Sequence, residues 1–153
     1  MRTATLCGIG ALVLCAAATF GQTATRQLVR NYAPADRAMD LPLAVLETEF
    51  AGMRAEARNS TRMIEGGKYS LNARYVSAAE PALVHKAIYE FYFVREGSGT
   101  LVTGGKIVDG KIQGGIARVV KAGDVVFIPP GVPHGITATT GLSYLNVHFE
   151  GVN

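Results

Sequence analysis

The stretch that most constrains the fold runs from Gly123 to His134 and reads Gly-Asp-Val-Val-Phe-Ile-Pro-Pro-Gly-Val-Pro-His. Its apolar residues, Val125 to Ile128, lie between a Gly-Asp turn and a Pro-Pro-Gly turn, which predicts a short buried strand. Pro130-Gly131 suits the central positions of a type II turn, because proline presets the first backbone angle and glycine supplies the positive φ at the second. His134 is therefore predicted to follow a rigid turn at the end of a strand, and histidine is the commonest protein metal ligand.

The N-terminal segment has the features of a secretory signal peptide. Met1-Arg2 precedes an apolar run from Ala4 to Phe20, which is too short and too weakly flanked for a membrane-spanning helix. We expect residues 1–21 to be the signal peptide, with cleavage after Gly21 or, as the alternative, after Ala18. This predicts a protein exported to the periplasm or secreted. An uncleaved anchor or a buried helix is the competing interpretation.

Both cysteines, Cys7 and Cys15, lie in that segment. Leu14 stands where lipidation of Cys15 would favour a small residue, so lipidation is the lesser alternative. The mature chain would then have neither disulfide nor thiolate, and metal or acid–base chemistry must come from His, Asp, Glu and Tyr. The net charge of the full chain is +3, with the basic residues scattered. This pattern indicates neither a nucleic-acid-binding surface nor a membrane-binding patch.

Residues 22–66 are expected to form an N-terminal arm and a helix. Asp40 is a plausible helix cap, and Pro42 fits the first turn, where its missing N–H costs nothing. Apolar residues recur at helical spacing after them, at Leu43, Leu46, Phe50, Met53 and Ala57. We expect this helix to cover one side of a larger β structure.

Residues 67–153 are expected to form a β-barrel. In Tyr69 to Tyr75 apolar and polar residues alternate, which predicts a half-buried strand. Short segments with strand patterns and glycine or proline between them follow, around Val84, Phe91–Arg95, Thr100–Thr103, Ala117–Val120, Val125–Ile128, Gly135–Thr137 and Leu142–Phe149. The glycine-rich stretch Gly104 to Gly115 predicts a long hairpin loop. The fold class is therefore mostly β, an antiparallel sandwich or barrel with an N-terminal helix.

The chain has only three histidines, His85, His134 and His148. His85 precedes Glu90 by five residues, and a straight strand would hold these two side chains about 17 Å apart on opposite faces. If Lys86 to Tyr89 form a turn instead, both side chains can point into one cavity. The local sequence alone leaves both arrangements open.

The stretch from Gly123 to His134 resembles the second signature motif of the cupin superfamily, and it matches at Gly123, Pro129, Gly131 and His134. Ala138 stands where this motif often has asparagine. The segment Gly99 to Gly105 is similar to one in small exported bacterial cupins.

The first cupin motif resembles the segment around His85. His85, Glu90 and Gly97 match its second histidine, its glutamate and its closing glycine, while Leu83 occupies the place of its first histidine. The resemblance covers roughly Tyr69 to Phe149.

The resemblance implies a double-stranded β-helix, the cupin or jelly-roll barrel, in which His85, Glu90 and His134 are metal ligands. Two imidazoles and one carboxylate would suit one divalent transition metal, Fe, Mn, Ni or Zn, with positions left for water or substrate. It also implies a homodimer. A barrel that has lost its metal, with His85 and His134 kept as hydrogen-bonded polar residues, is the alternative, because Leu83 replaces one family ligand.

His148 lies in the last predicted strand, where Leu145, Val147 and Phe149 alternate with polar residues. If the apolar set faces the barrel interior, His148 faces outward and is not a ligand. Tyr89, Tyr92 and Phe127 are candidates for lining the pocket or the core.

These observations favour a metal-dependent cupin enzyme that acts on a small organic substrate as an oxygenase, lyase or isomerase. A non-catalytic domain that binds a small molecule is the first alternative. The second is a structural domain in which the helix Pro42 to Arg58 and the N-terminal arm make dimer contacts.

Overall fold

The computed structural model of the chain describes residues 27–151. The predicted signal peptide and its cleavage site lie outside this range. The described part contains one helix and ten strands, which are α1 (Leu43–Ala55), β1 (Ser60–Glu65), β2 (Tyr69–Val76), β3 (Ile88–Glu96), β4 (Ser98–Thr103), β5 (Lys106–Val108), β6 (Lys111–Gln113), β7 (Ile116–Lys121), β8 (Val125–Ile128), β9 (His134–Thr139) and β10 (Leu142–Glu150). The predicted class, mostly β with one N-terminal helix, is confirmed.

Two antiparallel sheets face each other. The larger has the strand order β1-β2-β10-β3-β8, and the smaller has the order β7-β4-β9. The third sheet is the β5–β6 hairpin within the predicted glycine-rich loop, so that loop is itself a short hairpin. Strands next to each other in a sheet are mostly distant in sequence, as expected of a double-stranded β-helix.

The main core lies between the two sheets. It is formed by inward-facing residues of both, Val76, Tyr92, Val94, Leu101, Val120, Val126, Ile128, Ile136, Leu142 and Tyr144. In β8 only Val126 and Ile128 contribute, because Val125 and Phe127 are 61% and 49% exposed on the outer face. The prediction of a wholly buried strand there was therefore wrong, and the strand is half-buried.

A second core lies between α1 and the outer face of the larger sheet. Leu46, Phe50 and Met53 of the helix pack with Met63 and Ala73 of the first two strands. The helix starts at Leu43 after Pro42, which occupies the N-cap position without any side-chain cap. The prediction that Asp40 caps the helix was therefore wrong.

The first strand, β1, was not predicted from sequence. It pairs antiparallel with β2 and places Thr61 and Met63 on its buried side. Its residues, Ser-Thr-Arg-Met-Ile-Glu, carry only two strong apolar side chains, so their alternation gives a weak signal. The N-terminal arm adds two isolated parallel bridges to this strand, at Val29 and Tyr32.

The larger sheet places polar residues toward the barrel interior along part of its inner face. In β2 the residues Ser70 and Asn72 are buried on this side, while Ala73 packs toward the helix on the other. The outer face of β3, β8 and the end of β10 lies outside this helix cluster and carries stacked aromatic rings, Tyr89, Phe91, Phe93, Phe127 and Phe149. Among the residues that the structure describes, no helix is long and apolar enough to cross a membrane.

Candidate metal centre

His134 lies directly after the turn that the sequence predicts. Gly131 has φ of 78°, the left-handed conformation that glycine adopts without steric cost, and its N–H donates to the carbonyl of His85 at 2.8 Å. His134 then opens β9 and is 3% exposed. The turn therefore positions one histidine and holds the backbone of another beside it.

The segment from His85 to Glu90 bends, so the two side chains do not lie on one straight strand. Lys86 and Ala87 form the bend, and β3 begins at Ile88. This is the arrangement in which both side chains can share a cavity. Glu90 is then on the inner face of β3 and only 2% exposed.

The three predicted ligands converge. His85, Glu90 and His134 each offer a ligand atom, and these atoms lie within 4.8 Å of one another. Glu90 Oε1 is 3.0 Å from His134 Nε2 and 3.4 Å from His85 Nε2. Two ligand atoms about 2.1 Å from one metal ion lie about 3.0 Å apart at a right angle and about 3.4 Å apart at the tetrahedral angle. The observed spacings therefore fit a shared ion.

The hydrogen bonding of His134 supports the same conclusion. Its Nδ1 lies 2.9 Å from the carbonyl oxygen of Val132, and since a carbonyl only accepts, Nδ1 is the donor. In the neutral ring Nε2 then carries a lone pair that faces Glu90. Among the described residues, neither His134 Nε2 nor Glu90 Oε1 has a hydrogen-bond partner, although both are buried. A cation at this point would satisfy both atoms.

The electrostatics of the cluster keep two of the ligands, Glu90 and His85, in metal-binding form. Burial by itself would raise the pKa of Glu90, but the contacts of its carboxylate with His134 and His148 outweigh this and hold that pKa well below its usual range. Burial lowers the pKa of His85, and the attraction of Glu90 only partly opposes this. Glu90 is therefore ionised and His85 neutral at pH 7, as metal ligands must be.

A cavity of about 190 Å³ opens next to these ligands. Its wall includes the predicted ligands and polar side chains that sequence reasoning did not select, Arg62, Asn72, Arg74, Glu80, Tyr144 and Asn146. Of the aromatic candidates, Tyr92 lines the cavity, whereas Tyr89 and Phe127 stack on the outer face of the sheet. The alternation in β2 and β10 was the available sequence signal, because it groups these polar residues on one face of each strand, but it does not say whether that face looks inward.

His148 faces the cavity, so its predicted outward orientation was wrong. In the antiparallel pairing of β10 with β3, His148 lies directly opposite Glu90, and its Nε2 is 3.0 Å from Glu90 Oε2. The apolar residues of the last strand occupy the opposite face instead, where Leu145 packs with the helix cluster and Phe149 stacks on Phe91.

Leu83 stands where the resemblance places a further histidine, and it is next to His134 in the structure. Leu83 and His134 form an antiparallel bridge with reciprocal backbone hydrogen bonds of 2.9 Å. Leu83 also lines the cavity and is 41% exposed. The site thus has an apolar side chain beside His134 at this position.

Comparison with known proteins shows the fold and a similarity to one family over about half of the chain. Residues 76–148 match the family model described as Cupin domain. The match and the fold together support the cupin superfamily. The family model includes His85, Glu90, His134 and His148, whereas the helix and the first strand lie before it. None of the curated proteins matches the sequence.

Solved structures agree with the cupin fold. A protein from Bacillus halodurans superposes with a TM-score of 0.56 at 17% identity, over 78% of this chain and 86% of that one. A protein from Neisseria meningitidis gives a TM-score of 0.53 at 13% identity, over 74% of this chain and 100% of that one. At these identities the likeness shows the fold alone.

Proposed function

We propose that this chain is a metal-dependent cupin that acts on a small organic substrate. The observation that carries the proposal is the convergence of His85, Glu90 and His134, with two buried ligand atoms that lack any hydrogen-bond partner among the described residues. A set of two imidazoles and one carboxylate suits a divalent transition metal such as Fe, Mn, Ni or Zn.

The chain's own residues would hold the ion from two walls of the barrel. Glu90 comes from β3 of the larger sheet, His134 from β9 of the smaller sheet, and His85 from the segment just before β3. When bound, such an ion acts as a Lewis acid on an oxygen of the substrate or as a centre for oxygen chemistry. The oxygenase, lyase and isomerase classes are all compatible with this ligand set.

The cavity sets limits on the substrate. A volume of about 190 Å³ admits only a small molecule. Arg74 lines it and is held by Glu80, whose carboxylate oxygens lie 2.7 and 2.9 Å from Arg74 Nη2. Tyr92 and Tyr144 also line the cavity, with ring centroids 4.5 Å apart. We therefore expect a small polar substrate, which would contact this polar and aromatic wall.

Metal analysis of protein purified without an affinity tag tests the proposal. We expect about one transition-metal ion per chain in the wild type, and loss of that ion in His134→Ala. Ala138→Ser is the matched control, because Ala138 is exposed on the same strand. A wild type that is empty and also fails to bind added iron, manganese, nickel and zinc would exclude the metal-dependent function.

The alternative is a non-catalytic domain that binds a small molecule. The two are separated by incubating the metal-loaded protein with a panel of small hydroxy acids, keto acids and sugars. Turnover that is lost in His134→Ala supports the enzyme, whereas saturable binding without turnover supports the binding domain. The panel must include oxygen-free controls, since an oxygenase consumes dioxygen and a lyase or an isomerase does not.

Export to the periplasm or outside the cell is proposed on the N-terminal sequence alone. Mass spectrometry of the protein secreted by a bacterial host measures the mature N-terminus. A start at Gln22 or Thr19 supports cleavage of the predicted signal peptide, and a chain that retains Met1 contradicts it.

A further inference from the structure

The second carboxylate oxygen of Glu90 is held by the last strand. Asn146 Nδ2 donates to Glu90 Oε2 at 3.0 Å, and His148 Nε2 lies 3.0 Å from the same oxygen. Because a carboxylate oxygen only accepts, the His148 contact is a hydrogen bond when Nε2 carries the proton. Asn146 Nδ2 also lies 2.7 Å from His148 Nε2, so the three side chains form one cluster around Oε2.

The sheet register builds this cluster. His148 is the direct cross-strand partner of Glu90, and Asn146 is two residues earlier on the same face of β10. Glu90 and Asn146 are almost fully buried, at 2% and 4% exposure, whereas the side chain of His148 is 20% exposed. The backbone oxygen of Asn146 accepts from Asn72 Nδ2 at 3.3 Å, which ties the cluster to the next strand of the sheet.

The two oxygens of Glu90 therefore have different surroundings. Oε1 faces His85 and His134 and lacks a hydrogen-bond partner among the described residues, while Oε2 is engaged by the last strand. A carboxylate held at one oxygen cannot rotate freely, and it presents only the other oxygen as a ligand. Such contacts to a ligand carboxylate orient it and tune its affinity for the ion.

We infer that His148 and Asn146 are positioning residues that hold Glu90 as a ligand through one oxygen. This inference rests on the proposed metal-dependent function and adds to it two residues that the ligand set does not include. Leu83 stands where the resemblance places a further ligand histidine, and three protein ligands converge among the described residues. With three ligands, the orientation of each contributes more to the affinity for the ion.

His148 is assigned a positioning role rather than a fourth ligand position because of its distance from the convergence point. The group whose ligand atoms lie within 4.8 Å of one another contains His85, Glu90 and His134 but not His148. Its Nε2 lies against Glu90 Oε2, the oxygen that does not face His85 and His134. The contact therefore acts on the ligand and not on the ion.

Two substitutions at His148 separate these roles. His148→Ala removes the contact with Oε2, and His148→Gln keeps an N–H donor of similar reach but is a poor ligand for a transition metal. Glu150→Gln is the control, since Glu150 is exposed on the same strand. Affinity for Co(II) is measured by titration against a competing chelator, and the visible spectrum of the saturated protein reports the ligands. Circular dichroism of the metal-free variants checks that they fold.

We expect His148→Ala to lose roughly 10- to 100-fold in Co(II) affinity, the usual effect of removing a contact to a ligand. His148→Gln should stay within about threefold of wild type, and the spectrum should be unchanged in both variants once saturated. A folded His148→Ala that binds as tightly as wild type overturns this inference alone. Equal losses in both variants with a changed spectrum also overturn it, because His148 would then be a ligand. A wild type that binds no ion overturns the proposed function, and this inference with it.

Discussion

Glu49 is the residue whose substitution best tests how the helix is fixed to the barrel. It is 6% exposed on α1, and its carboxylate accepts hydrogen bonds from Arg30 Nε at 2.8 Å, Arg58 Nη1 at 2.6 Å and Thr61 Oγ1 at 2.7 Å. It thereby joins the N-terminal arm, the helix and the first strand. Glu49→Gln removes the negative charge and keeps the shape.

The expected loss in the free energy of unfolding depends on how exposed the arginines that pair with Glu49 are. Arg30 is 44% exposed, so solvent screens its ion pair with Glu49, and removing that pair should cost little stability. Arg58 is 19% exposed, and a hydrogen bond to a charged group contributes about 1.5–3 kcal/mol, of which glutamine recovers only the neutral part. We expect a loss of about 2 kcal/mol in the free energy of unfolding at pH 7. For a domain of this size that lowers Tm by roughly 6–10 °C.

The loss of stability in Glu49→Gln should be smaller at low pH than at pH 7. Burial would raise the pKa of Glu49, but hydrogen bonds from Thr61 and Arg30 and the charges of Arg30 and Arg58 lower it below its ordinary value of 4.5. A folded pKa below the unfolded one stabilises the protein above about pH 4.5, and this contribution is lost as the pH falls through the folded pKa. The difference between wild type and Glu49→Gln should therefore shrink below pH 4.5.

Urea unfolding followed by circular dichroism measures this difference at pH 7, 5, 4 and 3.5. Glu47→Gln is the control, since Glu47 is exposed on the same helix and should change stability by less than about 0.5 kcal/mol. A Glu49→Gln variant as stable as wild type at pH 7 would refute the reasoning. So would a difference that stays constant down to pH 3.5.

Three further predictions concern the site, a glycine and the outer face. Leu83→His should tighten Co(II) binding at least tenfold in chelator competition, about 1.4 kcal/mol, because it adds an imidazole beside the ligands; unchanged affinity would contradict the assigned register. Gly97→Ala should cost at least about 2 kcal/mol more than Gly104→Ala in urea unfolding, since both have positive φ but only the Cβ at Gly97 would overlap the carbonyl oxygen of Gly141. Equal losses of stability in the two variants would show that the backbone moves to avoid this overlap, which would contradict the prediction. If the homodimer implied by the resemblance forms through the aromatic outer face, Phe127→Ser should shift it toward monomer in sedimentation velocity; an unchanged dimer would place the interface elsewhere.

Much of the site follows from local sequence because local chemistry controls it. The Pro130-Gly131 turn needs a positive φ, which glycine supplies, and so His134 is placed by residues next to it in the chain. The resemblance to the cupin motifs predicted that His85 and Glu90 share the cavity, and the bend between them brings this about. For the same reason, alternation and turn residues predicted the positions of most strands along the chain.

Which face of a strand looks inward is not a local property, and the sequence could not decide it. Alternation divides β10 into two faces but does not say which one meets the barrel, since a helix or an aromatic surface can cover the apolar face from outside. Here α1 covers Leu145, so the apolar face of β10 is buried on the outside of the barrel and the polar face lines the cavity. The pairing of β10 with β3 then sets His148 opposite Glu90, a contact between residues 58 positions apart. The sequence by itself determined that His134 follows a rigid turn, whereas only the tertiary structure decided which side chains meet Glu90, because long-range strand register determines those contacts.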